Sequence, residues 1–314
     1  MKIVILEPIG LSKEIIDSYI FEMTDLGHDV DYYENRSDSV EENIERAKNA
    51  DVLMLVNMPI PSNILTECKN LKMISVAFTG VDHIDMNYCR ENHILVCNAA
   101  GYSNHAVSEL AVNMALTLMR NTVWAEQQTR NSKSREGFLG RELFGKTVGI
   151  IGAGSIGLQT AKLFSAFGCN VIAYSRTRKE STFIKYVEKE VLLKESDIIS
   201  LHVPLNQSTE NLIDKNAFDI MKPEAILINT ARGNVVNAND LIEALKNGKI
   251  SGAALDVYKK EPPLEKNHKL FDVPNLVLLP HIGYATEEAI KLRGKIIFEN
   301  IKMWERKNPQ NICL

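Results

Sequence analysis

Three polar side chains in this chain stand where a fold could bring them together for chemistry. Arg232 follows the apolar stretch Ala225–Asn229, and His281 follows the apolar stretch Val277–Leu279. Glu261 precedes two prolines. An arginine can hold a carboxylate and stabilise charge on a nearby carbonyl oxygen, while an imidazole exchanges a proton near neutral pH. Together these groups suit hydride transfer to a small 2-oxo acid, although each alone also fits a turn, a core histidine or a surface acid.

A glycine-rich turn separates a predicted strand from a predicted helix. It has the spacing G-x-G-x-x-G, formed by Gly152, Gly154 and Gly157. The first glycine permits a tight turn, the second lets the backbone approach a pyrophosphate, and the third lets the helix pack closely on the strand. The N-terminal N–H groups of that helix would face the phosphates, and we expect Ser155 and Ile156 to contact the cofactor. Because another strand follows, the pattern predicts dinucleotide binding.

The end of that second strand indicates which dinucleotide is bound. An acidic residue there would bind the ribose 2′-hydroxyl of NAD and repel a 2′-phosphate. This chain instead has Ser175, Arg176 and Thr177, followed by Arg178 and Lys179. A hydroxyl and an arginine can hold a 2′-phosphate through charge-assisted hydrogen bonds. We therefore expect NADP, with NAD as the alternative if the basic turn is only a solvated surface.

Composition and charge argue against several other classes of protein. The 314 residues include 36 basic and 40 acidic side chains, a formal charge of −4, without a long basic run, so we expect no nucleic-acid partner. No apolar run approaches the roughly 20 residues that span a bilayer, so we expect no membrane segment. Five cysteines without a C-x-x-C pair, and histidines without a ligand-spaced cluster, predict neither a disulfide framework nor a metal site. A reducing cytoplasm is the expected location.

Strand-like and helix-like stretches alternate along the chain, the pattern of parallel α/β proteins. Continuous apolar runs such as residues 51–56 and 147–151 suit strands that are covered on both faces. The chain is long enough to favour two domains. We expect two doubly wound parallel sheets, with a dinucleotide-binding domain at residues 103–284 inserted into a substrate-binding domain at residues 1–102 and 285–314.

Two stretches ahead of the glycine-rich turn bear on assembly. A helix is expected to begin after Ser103 or Asn104 and to run to about Arg120, and residues 107–116 are apolar on nearly all sides, which predicts that it is buried. Residues 121–146 are polar, weakly periodic and too long for a tight connection. We interpret them as an arm that packs on a second subunit, so we expect a homodimer; a mobile surface loop is the alternative.

Five segments, in this order and spacing, resemble one family. They are GAGSIG, HVPL, NTARG, ALDVYKKEPP and PHIG, spread over residues 152–283. The chain resembles the D-isomer-specific 2-hydroxyacid dehydrogenases, which include D-lactate, hydroxyisocaproate and phosphoglycerate dehydrogenases and glyoxylate/hydroxypyruvate reductases. The resemblance implies a Rossmann domain inserted into a flavodoxin-like domain. It also implies that Arg232 binds and polarises the substrate, that His281 is the acid/base, and that Glu261 is its partner.

The same resemblance assigns further residues to cofactor and substrate. The remaining cofactor contacts that it implies are His202, Val203 and Pro204 on the adenosine side, with Thr209, Thr230, Ala231, Asp256 and Gly283. Among these, Asp256 would hold the nicotinamide carboxamide. The implied substrate contacts are the backbone N–H groups of Thr79 and Gly80, together with Tyr102, Asn57 and Met58.

The stretch after the third strand departs from part of the family. Phosphoglycerate dehydrogenases typically carry an arginine there, whereas this chain has Asn57 and Met58. Without that cation, we expect an unphosphorylated D-2-hydroxy acid or 2-oxo acid as substrate. Two alternatives stay open: a catalytically idle NAD(H)-sensing scaffold similar to the corepressors that share this fold, and a dehydrogenase of the formate or phosphite type.

Overall fold

The computed structural model describes residues 1–261 and 263–314. The chain divides into two compact units. The first unit contains Met1–Ser103 and Ala285–Leu314, and the second contains Asn104–Tyr284.

The secondary structure of the described residues alternates between strands and helices. The strands are β1 (Lys2–Ile5), β2 (Asp29–Tyr32), β3 (Val52–Leu55), β4 (Met73–Val76), β5 (Leu95–Cys97), β6 (Thr147–Ile151), β7 (Asn170–Tyr174), β8 (Lys185–Tyr186), β9 (Ile198–Leu201), β10 (Ile226–Asn229), β11 (Gly252–Leu255) and β12 (Leu276–Leu278). The helices are α1 (Lys13–Asp25), α2 (Val40–Ala47), α3 (Ser62–Leu65), α4 (Met86–Glu91), α5 (Asn104–Arg120), α6 (Thr122–Arg130), α7 (Ser155–Ala166), α8 (Lys189–Glu195), α9 (Lys215–Ile220), α10 (Ala238–Lys246) and α11 (Glu287–Glu305), with a 3-10 turn at Gly233–Val235.

The first unit contains a five-stranded parallel sheet in the order β2-β1-β3-β4-β5. This is the flavodoxin-like order, which reverses between β1 and β3. Every residue of β3 is buried, as the apolar run at residues 51–56 predicted, and every residue of β4 is buried as well. Helix α11 returns the end of the chain to this unit, where the Ser75 hydroxyl donates a hydrogen bond to the carbonyl of Ile297 at 2.9 Å.

The second unit contains a seven-stranded parallel sheet in the order β12-β11-β10-β9-β6-β7-β8. Counted from β6, six strands follow the Rossmann order 3-2-1-4-5-6, and β12 extends the sheet at one edge. The order reverses between β6 and β9, and ligands of such sheets bind beyond the carboxyl ends of the strands at this reversal. The two doubly wound parallel sheets confirm the predicted fold class.

Neighbouring residues of β6 enter two separate apolar cores, one on each face of the sheet. Ile150 packs in a core with Phe164 of α7, whereas Ile151 packs in a core with Phe218 of α9. Successive side chains of a strand point to opposite faces, so a strand covered on both faces must be apolar throughout. This double coverage explains the continuous apolar runs in the sequence.

Helix α5 spans the stretch for which the sequence predicted a buried helix. Its apolar residues pack on α7 and in the core of the second unit. The burial of α5 therefore needs no second subunit to explain it. The stretch that follows is not an irregular arm throughout, because α6 occupies part of it. None of the α6 residues is buried, so the sequence shows no apolar period there, and the helix was not predicted.

Candidate active site

His281 and Glu261 form a hydrogen-bonded pair in the second unit. Nδ1 of His281 lies 3.0 Å from Oε2 of Glu261, with the histidine side chain 19% exposed and the glutamate side chain 42% exposed. His281 follows β12, and Glu261 lies in the loop after β11. Since a carboxylate can only accept, the hydrogen of this contact lies on Nδ1.

Asp256 fixes the turn that carries His281. The His281 backbone is left-handed, with a φ of 58°, a conformation that residues with side chains rarely adopt. The buried carboxylate of Asp256 accepts the N–H of Ile282 at 2.8 Å and the N–H of Gly283 at 2.7 Å. Burial raises the pKa of Asp256, while the two N–H donors and His281 oppose that rise. These charge-assisted bonds offset the strain at His281.

Arg232 lies in a turn that a buried asparagine holds in place. Asn229, the last residue of β10, is fully buried. Its amide accepts the N–H of Ala231 at 3.0 Å and donates to the carbonyl of Arg232 at 2.9 Å. Nη1 of Arg232 also donates to the carbonyl of Ala231 at 2.8 Å. The backbone at Arg232 is thereby fixed beyond the carboxyl end of a strand.

The turn of Arg232 touches the loop that leads to Glu261. A Cβ added to Gly233 would lie 1.9 Å from the carbonyl carbon of Tyr258, so only glycine permits this approach. The hydroxyl of buried Tyr258 donates to the carbonyl of Leu279 at 2.8 Å, two residues before His281. Burial raises the pKa of Tyr258 to about 12, which keeps the phenol protonated as a donor. Strands β10, β11 and β12 are neighbours, so the three loops that carry the predicted catalytic residues are adjacent.

The glycine-rich turn has the shape that a pyrophosphate requires. Gly152 has a φ of 99°, and a Cβ there would lie 2.4 Å from the carbonyl oxygen of His202. A Cβ on Gly157 would lie 1.9 Å from the carbonyl oxygen of Gly152. At Gly154, by contrast, no atom of the described residues beyond its immediate neighbours lies within 4 Å of an added Cβ. Helix α7 starts at Ser155, so its first N–H groups border this open side, and the residues present fit a dinucleotide.

The carboxyl ends of β9 and β10 present buried polar atoms beside this turn. Nε2 of His202 lies 2.9 Å from the Ser200 hydroxyl, while Nδ1 is buried without a partner among the described residues. Burial lowers the pKa of His202 to about 3, so the ring is neutral at pH 7. Oγ1 of Thr230 is likewise buried and lacks a described partner. Such atoms suit contacts with the polar groups of a bound cofactor.

The other residues predicted around this edge differ in their exposure. The hydroxyl of Thr209 donates to the carbonyl of Pro204 at 2.6 Å, so it closes its own turn. At the end of β7, Arg176 and Thr177 are exposed. Arg178 instead lies 3.4 Å from Glu188, with its guanidinium 5.8 Å from the centre of the Tyr186 ring. The remaining predicted contacts are half-buried Ile156, Ser175 and Val203 and buried Ala231.

The predicted substrate contacts lie at the carboxyl ends of strands in the first unit. Thr79 follows β4, and its carbonyl accepts a hydrogen bond from the Asn98 amide at 2.7 Å. Tyr102 is buried, with its ring centre 6.5 Å from that of Phe78 and 5.8 Å from the Arg293 guanidinium. After β3, Asn57 is exposed and Met58 is buried, and Gly80 is half-buried.

Three residues that hold these turns escaped the sequence analysis: Asn229, Tyr258 and Glu7. Glu7 is buried at the end of β1, and Asn229 is fully buried at the end of β10. Glu7 and Asn229 are both polar residues at the end of an apolar strand, and this pattern can be recognised in a sequence. Tyr258 gave no such signal because its hydrogen bond joins separate segments.

Neither a metal site nor a membrane span is found among residues 1–261 and 263–314. They contain no group of three or more His, Cys, Asp or Glu side chains that could hold a metal ion. No helix in these ranges is long and apolar enough to cross a bilayer. All five cysteines are free thiols, and four of them are buried.

Comparison with known proteins assigns the chain to a family. Residues 112–283 match the family model described as "D-isomer specific 2-hydroxyacid dehydrogenase, NAD binding domain". The glyoxylate reductase of Thermococcus litoralis is 42% identical over 271 residues, which cover 82% of this chain and 81% of that protein. The chain belongs to the D-isomer-specific 2-hydroxyacid dehydrogenase family. It is an NAD(P)-dependent 2-hydroxyacid dehydrogenase, as its sequence motifs predicted.

One further relative is longer than this chain, and one solved structure has a name that indicates a different chemistry. The D-3-phosphoglycerate dehydrogenase of Methanocaldococcus jannaschii is 39% identical over 269 residues, which cover 83% of this chain but only 51% of that protein. The chain thus matches about half of that longer relative. A solved acyclic imino acid reductase, in complex with NADPH and D-Arg, superimposes with a TM-score of 0.92 at 30% identity over 100% of both chains.

Proposed function

We propose that this dehydrogenase reduces small, unphosphorylated 2-oxo acids to D-2-hydroxy acids with NADPH. The observation that carries the proposal is the 3.0 Å contact between His281 and Glu261, in loops adjacent to the turn of Arg232. A proton donor whose charged form is stabilised, next to a cation for an α-carboxylate, matches what reduction of a 2-oxo acid needs. The glyoxylate reductase among the relatives supports a small substrate.

In the proposed reaction the chain supplies the proton and the electrostatic stabilisation. The guanidinium of Arg232 binds the substrate carboxylate and stabilises the negative charge that grows on the carbonyl oxygen. Nε2 of protonated His281 donates its proton to that oxygen, and Glu261 stabilises the imidazolium until transfer. A nicotinamide held by the second unit would supply the hydride to the carbonyl carbon. One hydride and one proton thus convert the ketone to the alcohol.

The second unit holds the cofactor in this proposal. The N–H groups at Gly154, Ser155 and Ile156 bind the pyrophosphate, with Gly152 and Gly157 giving the turn its shape. The adenosine side meets residues 202–204 and Thr209. The nicotinamide side meets Thr230, Ala231, Asp256 and Gly283. Because both oxygens of Asp256 already accept backbone N–H groups, the carboxamide would use their remaining lone pairs.

We favour NADP over NAD because of the turn at the end of β7. Ser175, Arg176 and Thr177 offer hydroxyls and a guanidinium to a 2′-phosphate, and no carboxylate stands among them. Arg178 is engaged by Glu188, which leaves exposed Arg176 as the stronger candidate. The imino acid reductase solved with NADPH supports the same choice.

The first unit provides the substrate contacts in this proposal. The N–H groups of Thr79 and Gly80 bind the substrate carboxylate, while Tyr102, Asn57 and Met58 border its side chain. Backbone N–H groups are effective anion donors, so the turn after β4 suits a carboxylate.

We also propose a homodimer formed through the surface around α6. A groove of about 790 Å³ is lined by apolar residues that include Val123, Trp124 and Leu139. Leu139 is 86% exposed and Val123 is 52% exposed. The Trp124 and Phe138 rings pack with centres 5.2 Å apart beside them. Exposed apolar clusters of this kind mark interaction surfaces, and a second copy of the chain is the occupant we propose.

A panel of substrates and cofactors tests the proposed function. NADPH or NADH is combined with glyoxylate, hydroxypyruvate, pyruvate, 2-oxoisocaproate or phenylpyruvate, and the chirality of each product is determined. We expect turnover with NADPH and D-products. Faster turnover when ammonia or methylamine is added would favour imino acids as substrates. Oxidation of formate or phosphite without reduction of any 2-oxo acid would overturn the proposal, as would cofactor binding without turnover.

A further inference from the structure

Glu7 places a buried carboxylate under the turn that follows β3. Its side chain lies at the carboxyl end of β1 and is 3% exposed. Oε1 accepts the backbone N–H groups of Val56 at 2.8 Å, Asn57 at 3.0 Å and Met58 at 2.8 Å. Three consecutive donors on one oxygen fix the path of this turn.

Arg36 brings a cation to the same turn from the loop after β2. Its Nη1 donates to Oδ1 of Asn57 at 2.9 Å and lies 3.5 Å from Oε2 of Glu7. The Arg36 side chain is 42% exposed, so its charge borders solvent beside Asn57. The sequence places no arginine directly after the third strand, but the fold supplies one from 21 residues earlier.

The charge of Arg36 is balanced by the carboxylate beneath it. An unpaired guanidinium beside a binding site attracts anionic groups, whereas a guanidinium paired with a carboxylate leaves little net field. Glu7 therefore does two things at this turn. It holds the backbone in position, and it cancels a positive charge that would otherwise favour an anionic ligand.

We propose that the Glu7–Arg36 pair determines substrate specificity by making the turn of Asn57 and Met58 electrically neutral. The turn then receives 2-oxo acids whose side chain is uncharged and disfavours those with a distal carboxylate or phosphate. This inference rests on the proposed function, in which Asn57 and Met58 border the substrate side chain.

Single charge changes test the pair in opposite directions. Glu7→Gln keeps an oxygen for the three N–H groups but removes the negative charge. We expect the kcat/KM ratio of oxaloacetate to 2-oxobutyrate to rise about threefold to tenfold, as for one partly screened charge. Arg36→Gln, at an exposed side chain that the fold tolerates, shifts the ratio the other way. The double variant returns towards the parent ratio, and the control Glu45→Gln on α2 leaves it unchanged.

Binding of inert analogues gives a readout that does not depend on turnover. Calorimetry on the NADPH-loaded protein compares N-oxalylglycine, which has a distal carboxylate, with N-propyloxamate, which has none. We expect Glu7→Gln to raise the affinity for N-oxalylglycine relative to that for N-propyloxamate. We expect Arg36→Gln to lower this ratio of affinities. Unchanged ratios in both variants overturn this inference alone. If the parent binds neither analogue and reduces no 2-oxo acid, the proposed function fails and this inference fails with it.

Discussion

The carboxylate of Glu261 lies 3.0 Å from Nδ1 of His281, and the turn that presents this histidine is left-handed. Asp256 and Tyr258 hold that turn through backbone groups on either side of it. The acid/base candidate is thus fixed in orientation before any substrate arrives. Preorganisation of this kind reduces the reorganisation that a proton transfer would otherwise require.

Removing the carboxylate partner of His281 tests the pair directly. We expect Glu261→Gln to lower kcat about tenfold to a hundredfold, because the imidazolium loses its stabilising charge while cofactor contacts stay intact. Glu261→Asp is expected to recover part of the loss. Steady-state kinetics, together with NADPH affinity from fluorescence titration, measure both effects. The control Glu265→Gln, at an exposed acid of the same loop, is expected to leave kcat near the parent value, and an equal loss there would argue against the pair.

Replacing Arg232 by alanine tests the substrate cation. We expect kcat/KM for 2-oxo acids to fall by about a thousandfold or more, since both carboxylate binding and stabilisation of the oxygen are lost. NADPH affinity is expected to change little. Retained turnover would remove Arg232 from the mechanism.

The proposed preference for NADP rests on the turn after β7. We expect Arg176→Ala to raise the Kd of NADPH about tenfold while leaving that of NADH nearly unchanged, because only NADPH carries the 2′-phosphate. Fluorescence titration with both cofactors measures the selectivity. Lys194→Ala, an exposed cation on α8, serves as the matched control. An equal loss for both cofactors in Arg176→Ala would refute the 2′-phosphate contact.

Neutral His202 makes stability depend on pH in a defined window. Burial lowers the pKa of His202 from 6.5 to about 3. Below pH 6.5 the imidazole is therefore protonated in the unfolded chain but stays neutral in the folded protein. The contribution of neutral His202 to the free energy of unfolding is fully present above pH 6.5. It is lost as pH falls towards 3, by at most about 1.4 kcal/mol per pH unit.

We therefore expect His202→Gln to flatten the fall in the free energy of unfolding between pH 6.5 and pH 4.5. Denaturant unfolding of the cofactor-free protein measures this slope. The exposed histidine in His105→Gln provides the comparison and is expected to keep the parent slope. A parent-like slope in His202→Gln would contradict the assignment of this group.

A charge at the centre of the exposed apolar cluster tests the dimer. We expect Leu139→Asp to convert a dimer to a monomer, because a carboxylate buried in an apolar interface is costly to desolvate. Size-exclusion chromatography with light scattering gives the mass. The matched control is Phe21→Asp, at an apolar residue of α1 that is 74% exposed, and it is expected to leave the mass unchanged. A monomeric parent protein would refute the proposed assembly.

The sequence alone determined the fold class and the elements that pass through the cores. Strands such as β3 and β10 are covered on both faces, so their sequences are uninterrupted apolar runs, and β6 was predicted to the residue. Some elements at the edges of the sheets and on the surface were not predicted, because few or none of their residues are buried. Strand β2 is half-buried with two aspartates, and α6 has no buried residue, so neither shows a clear period.

Only the tertiary structure decided how the candidate site is held and charged. The segments that meet at His281 are supported by Asp256 and Tyr258, and the contact of Arg36 with Asn57 joins residues 21 positions apart. Local sequence records the preferences of a residue and its neighbours along the chain. It does not record which distant hydrogen-bond donors and charges folding will place beside them, because those distances are set by how strands order in a sheet. The residue types therefore predicted the chemistry of the candidate site, whereas its geometry could be described only from the folded structure.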